Sequence, residues 1–187
     1  MDIQKEHMTI LQPITKVFWA GRLSRDKNVQ TLIRAITLCP TTFILFIAGD
    51  GPARKSLEQL AQRLQVEDRV FFLGKLDEQQ MNDMYEHCNV YCQPSLFLDA
   101  CPRTVMEAMS HGKPAIVSDR TGYDDAPVTI LPPLDYHAWA RELLVFAGME
   151  EWKALPQTEE MVKASFKQSF KKRIKTLLLG KENGGVI

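Results

Sequence analysis

Asp99 and Glu107 stand eight positions apart in PSLFLDACPRTVMEAMSHGKP, a segment that leaves an apolar strand, crosses a Pro-containing loop and enters a helix. A helix start gathers unpaired backbone N–H groups and suits a phosphate. A carboxylate about one turn further in can accept hydrogen bonds from sugar hydroxyls, the part acidic residues play toward ribose in nucleotide folds. Upstream, AGRLSRDKNVQTLI sets Arg22 and Lys27 just after another apolar run. Arg forks onto two phosphate oxygens, and Lys adds a point charge. Two cations and two carboxylates at strand-to-helix turns suggest a ligand with both a pyrophosphate and several hydroxyls. A nucleotide-sugar fits.

Each of these residues also has an ordinary reading. Arg22 and Lys27 can be solvated loop cations, Asp99 a turn residue, and Glu107 a capping or ion-pairing group. Glu107 weighs most, because its helix, RTVMEAMSHG, is otherwise largely apolar and small. A carboxylate buried there without partners would be costly. The GDGP turn with Gly49 and Gly51 permits close backbone approach and is weak evidence alone. A dinucleotide fingerprint is absent, since the position after the first strand reads AGRLSRDKN.

The elements that must position these residues alternate strand and helix. Apolar runs at 16–21, 43–51, 69–74, 89–95, 113–119 and a short VTILPP read as strands. Between them, Val29, Leu32, Ile33 and Ile36 share one helical face, as do Leu57, Leu60, Ala61 and Leu64. Helices are expected over 77–88, where acidic residues in the first turn suit the helix dipole, over 103–111, and from about 135 to 146, with Asp135 as N-cap. Strands apolar throughout and alternating with helices predict an α/β fold, a Rossmann-like parallel sheet covered on both faces. Ligands in such sheets bind at the C-terminal strand ends, where every charged candidate lies.

Composition narrows the classes. The 187 residues carry 23 basic and 23 acidic side chains, so no overall field draws the chain to nucleic acid. No apolar run is long enough to span a bilayer, and MDIQKEHMTILQPITK is no secretory signal. Cys39, Cys88, Cys92 and Cys101 match no zinc spacing and read as buried thiols of a cytoplasmic chain, and the four histidines form no metal signature. The domain is expected over 16–147 after a lead-in over 1–15. A basic amphipathic helix is expected within 148–179, with Val162, Phe166, Phe170, Ile174 and Leu177 on its apolar face, and 180–187 is expected to be disordered. A helix docked on the domain with a solvated basic face is the plain reading of that tail. Peripheral contact with a cytoplasmic membrane face is the sharper one.

In order along the chain, AGRLSRDKN, FILFIAGDGPARKSLEQLAQRL, RVFFLGKL and PSLFLDACPRTVMEAMSHGKPAIVSD resemble the C-terminal, donor-binding domain of family 4, or group 1, retaining glycosyltransferases. The resemblance runs to about residue 147. It implies the C-terminal half of a two-domain enzyme that transfers a hexose, with retention and without a bound metal, from a UDP-sugar or else a GDP-sugar to a glycan or glycolipid. By the same resemblance Arg22 and Lys27 hold the diphosphate, and Glu107 takes the ribose hydroxyls. Asp99 contacts the transferred sugar. The backbone of Cys101, Pro102, Arg103, Thr104 and Val105 receives sugar and phosphate oxygens. The backbone around Lys75 and Leu76 faces the base, and Gly49 and Gly51 shape the adjoining turn.

This chain departs from that pattern at several points. Asp99 stands where the family usually has Glu, Asn28 where it usually has Gly, and the stretch DRTGYDDAPVTILPP is short. No N-terminal acceptor domain accompanies it, so the acceptor is expected to be held by a separate or missing half. The alternative is a non-catalytic nucleotide-sugar-binding subunit or module.

Overall fold

A computed structural model describes residues 14–98, 102–123 and 126–148. Six strands form one sheet: β1 (Thr15–Ala20), β2 (Phe43–Ala48), β3 (Val70–Gly74), β4 (Val90–Gln93), β5 (Ala115–Ser118) and β6 (Thr129–Leu131). Every pairing is parallel and the spatial order is β3-β2-β1-β4-β5-β6. The order therefore reverses between β1 and β4. Five helices alternate with the strands: α1 (Val29–Thr37), α2 (Arg54–Arg63), α3 (Glu78–His87), α4 (Arg103–Ser110) and α5 (Tyr136–Gly148).

The period-2 geometry of β1 divides the core. Val17 and Trp19 point to the face covered by α1, α2 and α5, packing among Leu32, Ile36, Leu57, Trp139 and Leu143. Phe18 and Ala20 point to the other face, where α3 and α4 bring Tyr85, Val105, Ala108 and Met109. The side chains expected on the inner face of α1 are all buried, as are Leu57, Leu60 and Ala61 of α2. Leu64 packs partly buried at the margin.

The ends of the elements follow local chemistry. Asp77 and Gln80 close a reciprocal capping box at the start of α3. The Asp135 carboxylate accepts from the Ala138 N–H at 3.0 Å, as expected of an N-cap. Strands β2 and β4 end before their apolar runs do, because the last residues of each run leave the sheet for the following loop, whereas β5 starts two residues into its run. Asp99, Cys101, the N-terminal lead-in before residue 14 and the basic tail lie outside the described residues.

Cys39, Cys88 and Cys92 are free and buried. Burial raises all three thiols; Cys39 and Cys88 reach about 11. Burial likewise raises Tyr85 and Tyr91. An unfolded chain releases these protons at lower pH than the native one does. The unfolded state then binds fewer protons, so stability falls as pH rises through that window. Urea unfolding should give a constant free energy between pH 7 and 8 and a clear loss by pH 10.5. In the native protein at pH 8, peptide mapping after iodoacetamide should find these three thiols unmodified.

Candidate functional site

The loops at the C-terminal ends of β1, β2 and β3 are bonded to one another before any ligand is considered. Gly21 N–H donates to Ala48 O at 3.0 Å, Leu23 N–H to Asp50 O at 3.0 Å, and Gly49 N–H to Gly74 O at 2.6 Å. The two turn glycines are required by this packing. A Cβ on Gly49 would lie 1.8 Å from Gly21 O, and one on Gly51 would lie 2.4 Å from Leu23 O. The Gly51 N–H is taken by the Asp50 carboxylate at 2.8 Å. Gly49 and Gly51 thus let the loops close on each other. Gly21, Arg22, Asp50 and Lys75 join them around a cleft of about 530 Å³.

A second cleft, of about 660 Å³, opens between α3 and α4. Leu76, Asp77, Met81, Tyr85, Arg103, Thr104, Glu107 and His111 are among its walls. Glu107 lies one helical turn inside α4 with its side chain 38% exposed, so it is neither buried nor free. Its Oε2 accepts from the Tyr85 hydroxyl at 2.9 Å, and its Oε1 faces Arg103 Nε at 3.3 Å. Tyr85 is 1% exposed and stacks edge-on against Phe18, so its hydroxyl has a fixed direction. The phenol stays neutral, and it remains a donor throughout the physiological range.

The start of α4 offers amides selectively. Pro102 has no N–H, and the Val105 N–H donates to Pro102 O at 3.0 Å. The Arg103 and Thr104 amides are the first-turn donors with no acceptor among the described residues. Of the stretch expected to receive oxygens through its backbone, Val105 is therefore committed to the helix itself, and Cys101 lies outside the described residues. Thr104 Oγ1 sits 2.8 Å from the Tyr91 hydroxyl, which also reaches Ala20 O at 3.2 Å and Gln93 Oε1 at 3.3 Å. Tyr91 is fully buried, so one hydroxyl joins the end of β1, the end of β4 and the start of α4.

Arg22 is exposed at the rim of the first cleft. Lys27 ends a 3₁₀ turn (Arg25–Lys27) in the same loop but lines neither cleft. Asp26, between them, is held below the usual carboxylate range, chiefly by a hydrogen bond from Ser24 and then by Lys27 and Arg22. Of the residues the sequence assigns to a single site, Arg22, Gly49, Gly51 and Lys75 line the first cleft and Leu76, Arg103, Thr104 and Glu107 the second. Sequence reading misses Tyr85, Tyr91 and His111. Tyr85 is an apolar-face residue of an ordinary amphipathic helix, and no local signal gives its hydroxyl a partner 22 residues away. Among the described residues no three His, Cys, Asp or Glu side chains gather to hold a metal ion.

The helix start with a carboxylate one turn inside it and the loops bearing Arg22 and Lys75 lie within a stretch that matches a known family by sequence. The family model described as glycosyl transferases group 1 covers residues 6–127. The chain belongs to that family. Protein CapJ of Staphylococcus aureus is 36% identical over 113 residues, 60% of this chain and 27% of CapJ. The group 1 chain thus spans about a quarter of that relative's length. Among solved structures, HepE of Anabaena in complex with UDP and glucose superposes with a TM-score of 0.74 at 22% identity, over 89% of this chain and 48% of HepE. The catalytic domain of cholesterol-α-glucosyltransferase from Helicobacter pylori gives 0.65 at 19% identity, over 85% of this chain and 99% of that one. The Rossmann-like sheet, with helices on both faces, is the C-terminal half of the two-domain glycosyltransferase fold.

Tyr85→Phe should leave the aromatic packing intact and free Glu107 to turn. Loss of one hydrogen bond to a partly solvated carboxylate should cost about 0.5–1.5 kcal/mol of stability. Nucleoside diphosphate affinity should drop several-fold, which calorimetry alongside a thermal melt would reveal. Unchanged affinity would mean that the Tyr85 hydroxyl does not orient Glu107.

Proposed function

We propose that this chain is the donor-binding half of a retaining glycosyltransferase that transfers a hexose from a nucleotide-sugar to a glycan or glycolipid acceptor. The observation that carries the reading is the Glu107 carboxylate, fixed by a buried phenol one turn inside the start of α4 and open to the cleft. A ribose fits there: each of its vicinal hydroxyls can donate to a carboxylate oxygen. Its phosphates would then extend toward the free Arg103 and Thr104 amides and the positive end of α4. Arg22 and Lys27 meet the same charge from the β1 loop. Lys75 and Leu76 would flank the base and Asp99 the transferred sugar. With the diphosphate countered by side-chain cations and a helix terminus, the reading calls for no metal.

A UDP-sugar is favoured over a GDP-sugar because HepE, a neighbour in fold, has been solved with UDP and with UDP-glucose. Transfer also needs an acceptor held in register and a closed, dry site. The 187 residues by themselves should therefore bind donor without transferring sugar, and transfer should need an N-terminal half. Peripheral membrane contact through the basic tail belongs to the same proposal.

The test is a calorimetric or ligand-NMR panel of UDP, GDP and ADP with their sugars. Binding on the order of 10 μM to 1 mM, about −4 to −7 kcal/mol, is expected, with UDP compounds tightest. Glu107→Gln should weaken UDP more than 2′,3′-dideoxy-UDP, because only UDP carries the hydroxyls that Glu107 accepts from. Equal losses would reassign Glu107 to a structural role, and no binding of any nucleoside diphosphate at millimolar concentration would end the reading.

A further inference from the structure

We infer that Asn28 is the positioning residue that holds Lys27 against the donor diphosphate, an inference that rests on the donor-site reading above. Asn28 ends the 3₁₀ turn and begins α1 with φ 55° and ψ 35°, a left-handed conformation that glycine supplies without strain. Its side chain is nevertheless present and completely buried. Nδ2 donates to Pro94 O at 3.0 Å and to Pro133 O at 2.6 Å, carbonyls 66 and 105 residues away. Both amide protons are thereby used. Turning the amide over would set Oδ1 against two carbonyl oxygens, so its orientation is fixed. In this orientation Oδ1 is buried with no partner among the described residues, which is a cost to the fold. Glycine would give the same turn and avoid that cost. The side chain therefore does something that the turn alone does not require.

What it does is join three loops. Pro94 opens the segment that leads from β4 to α4, and Pro133 lies between β6 and α5. Leu96 N–H donates to Asp26 O at 2.8 Å, a second tie between the β1 and β4 loops. Thr31 Oγ1 donates to Pro133 O at 3.0 Å, a second tie to the β6 loop. Lys27 immediately precedes this anchor. The main chain from which its ammonium extends is thus held at a set distance from the segment that delivers the α4 amides, across the crevice where the sheet order reverses. Arg22, six residues earlier and tied to the GDGP turn, is held independently.

Asn28→Gly removes the ties and keeps the turn. Calorimetry with UDP and with UMP on the full 187-residue chain reads its effect, since the β-phosphate is what separates the two ligands. The wild-type chain should prefer UDP. Asn28→Gly should lose about tenfold in UDP affinity and leave UMP unchanged, so that the UDP/UMP ratio collapses. On a Lys27→Ala background the same change should add no further loss, and Thr31→Val, which loosens only the Pro133 tie, should keep the ratio. A merely structural Asn28 would lower the melting temperature and move both ligands alike, or neither. A preserved UDP/UMP ratio in Asn28→Gly, or an added loss on the Lys27→Ala background, overturns the inference while leaving the donor site standing. Should Asn28→Gly not fold, the near-isosteric Asn28→Asp puts a carboxylate against the same two carbonyls and is judged by the same ratio. A wild-type chain that binds no nucleotide at all overturns the donor-site reading and this inference with it.

Discussion

The reversal of strand order between β1 and β4 is the constraint from which the rest follows. Because α1 covers one face of the sheet and α4 the other, the chains leaving these neighbouring strands diverge. Parallel sheets bind ligands in the crevice so formed. That crevice also exposes backbone polar groups deep in the molecule, and each must find a partner. Two buried side chains close most of it. The Tyr91 hydroxyl reaches Ala20, Gln93 and Thr104, and the Asn28 amide reaches Pro94 and Pro133. These two groups tie the loops on either side of the crevice to one another.

Much of this arrangement was legible from pattern. Apolar strands alternating with amphipathic helices specify a parallel sheet, and that sheet places strand-end polar residues on one edge. Arg22 and Glu107 could therefore be assigned to that edge without coordinates, and Lys75 only through the family resemblance. Element ends were off by one to a few residues wherever an apolar run continued into a loop, as after β2 and β4, since hydropathy does not register the last ladder hydrogen bond.

What was not legible depends on contacts between distant segments. GDGP looked like a ligand loop, yet its glycines are needed because the β1 loop passes within contact distance of them. Asn28 looked like a departure from a glycine, yet it keeps the glycine's backbone angle and adds partners 66 and 105 residues away. The Val105 amide looked available until its own helix claimed it. For the glycines and for Asn28 the deciding neighbour came from another element, whereas for Val105 it is the cap of its own helix.

The two contacts of Glu107 differ in strength. One oxygen is held by Tyr85, whose phenol is buried and gains nothing by moving. The other faces Arg103, whose side chain is 88% exposed. An exposed pair of this kind is worth about 0–1 kcal/mol. Arg103 also stands in the first turn of α4, where a cation opposes the helix dipole, so its position does not serve the helix. On the proposed donor reading, a ribose hydroxyl would displace the weak contact on Oε1 and leave the strong one on Oε2. The released guanidinium would stay beside the start of α4, where added positive charge favours an anion. The Arg103–Glu107 pair would therefore cost a hydroxyl-bearing ligand little to undo, and the side chain it frees is a cation beside the proposed diphosphate site.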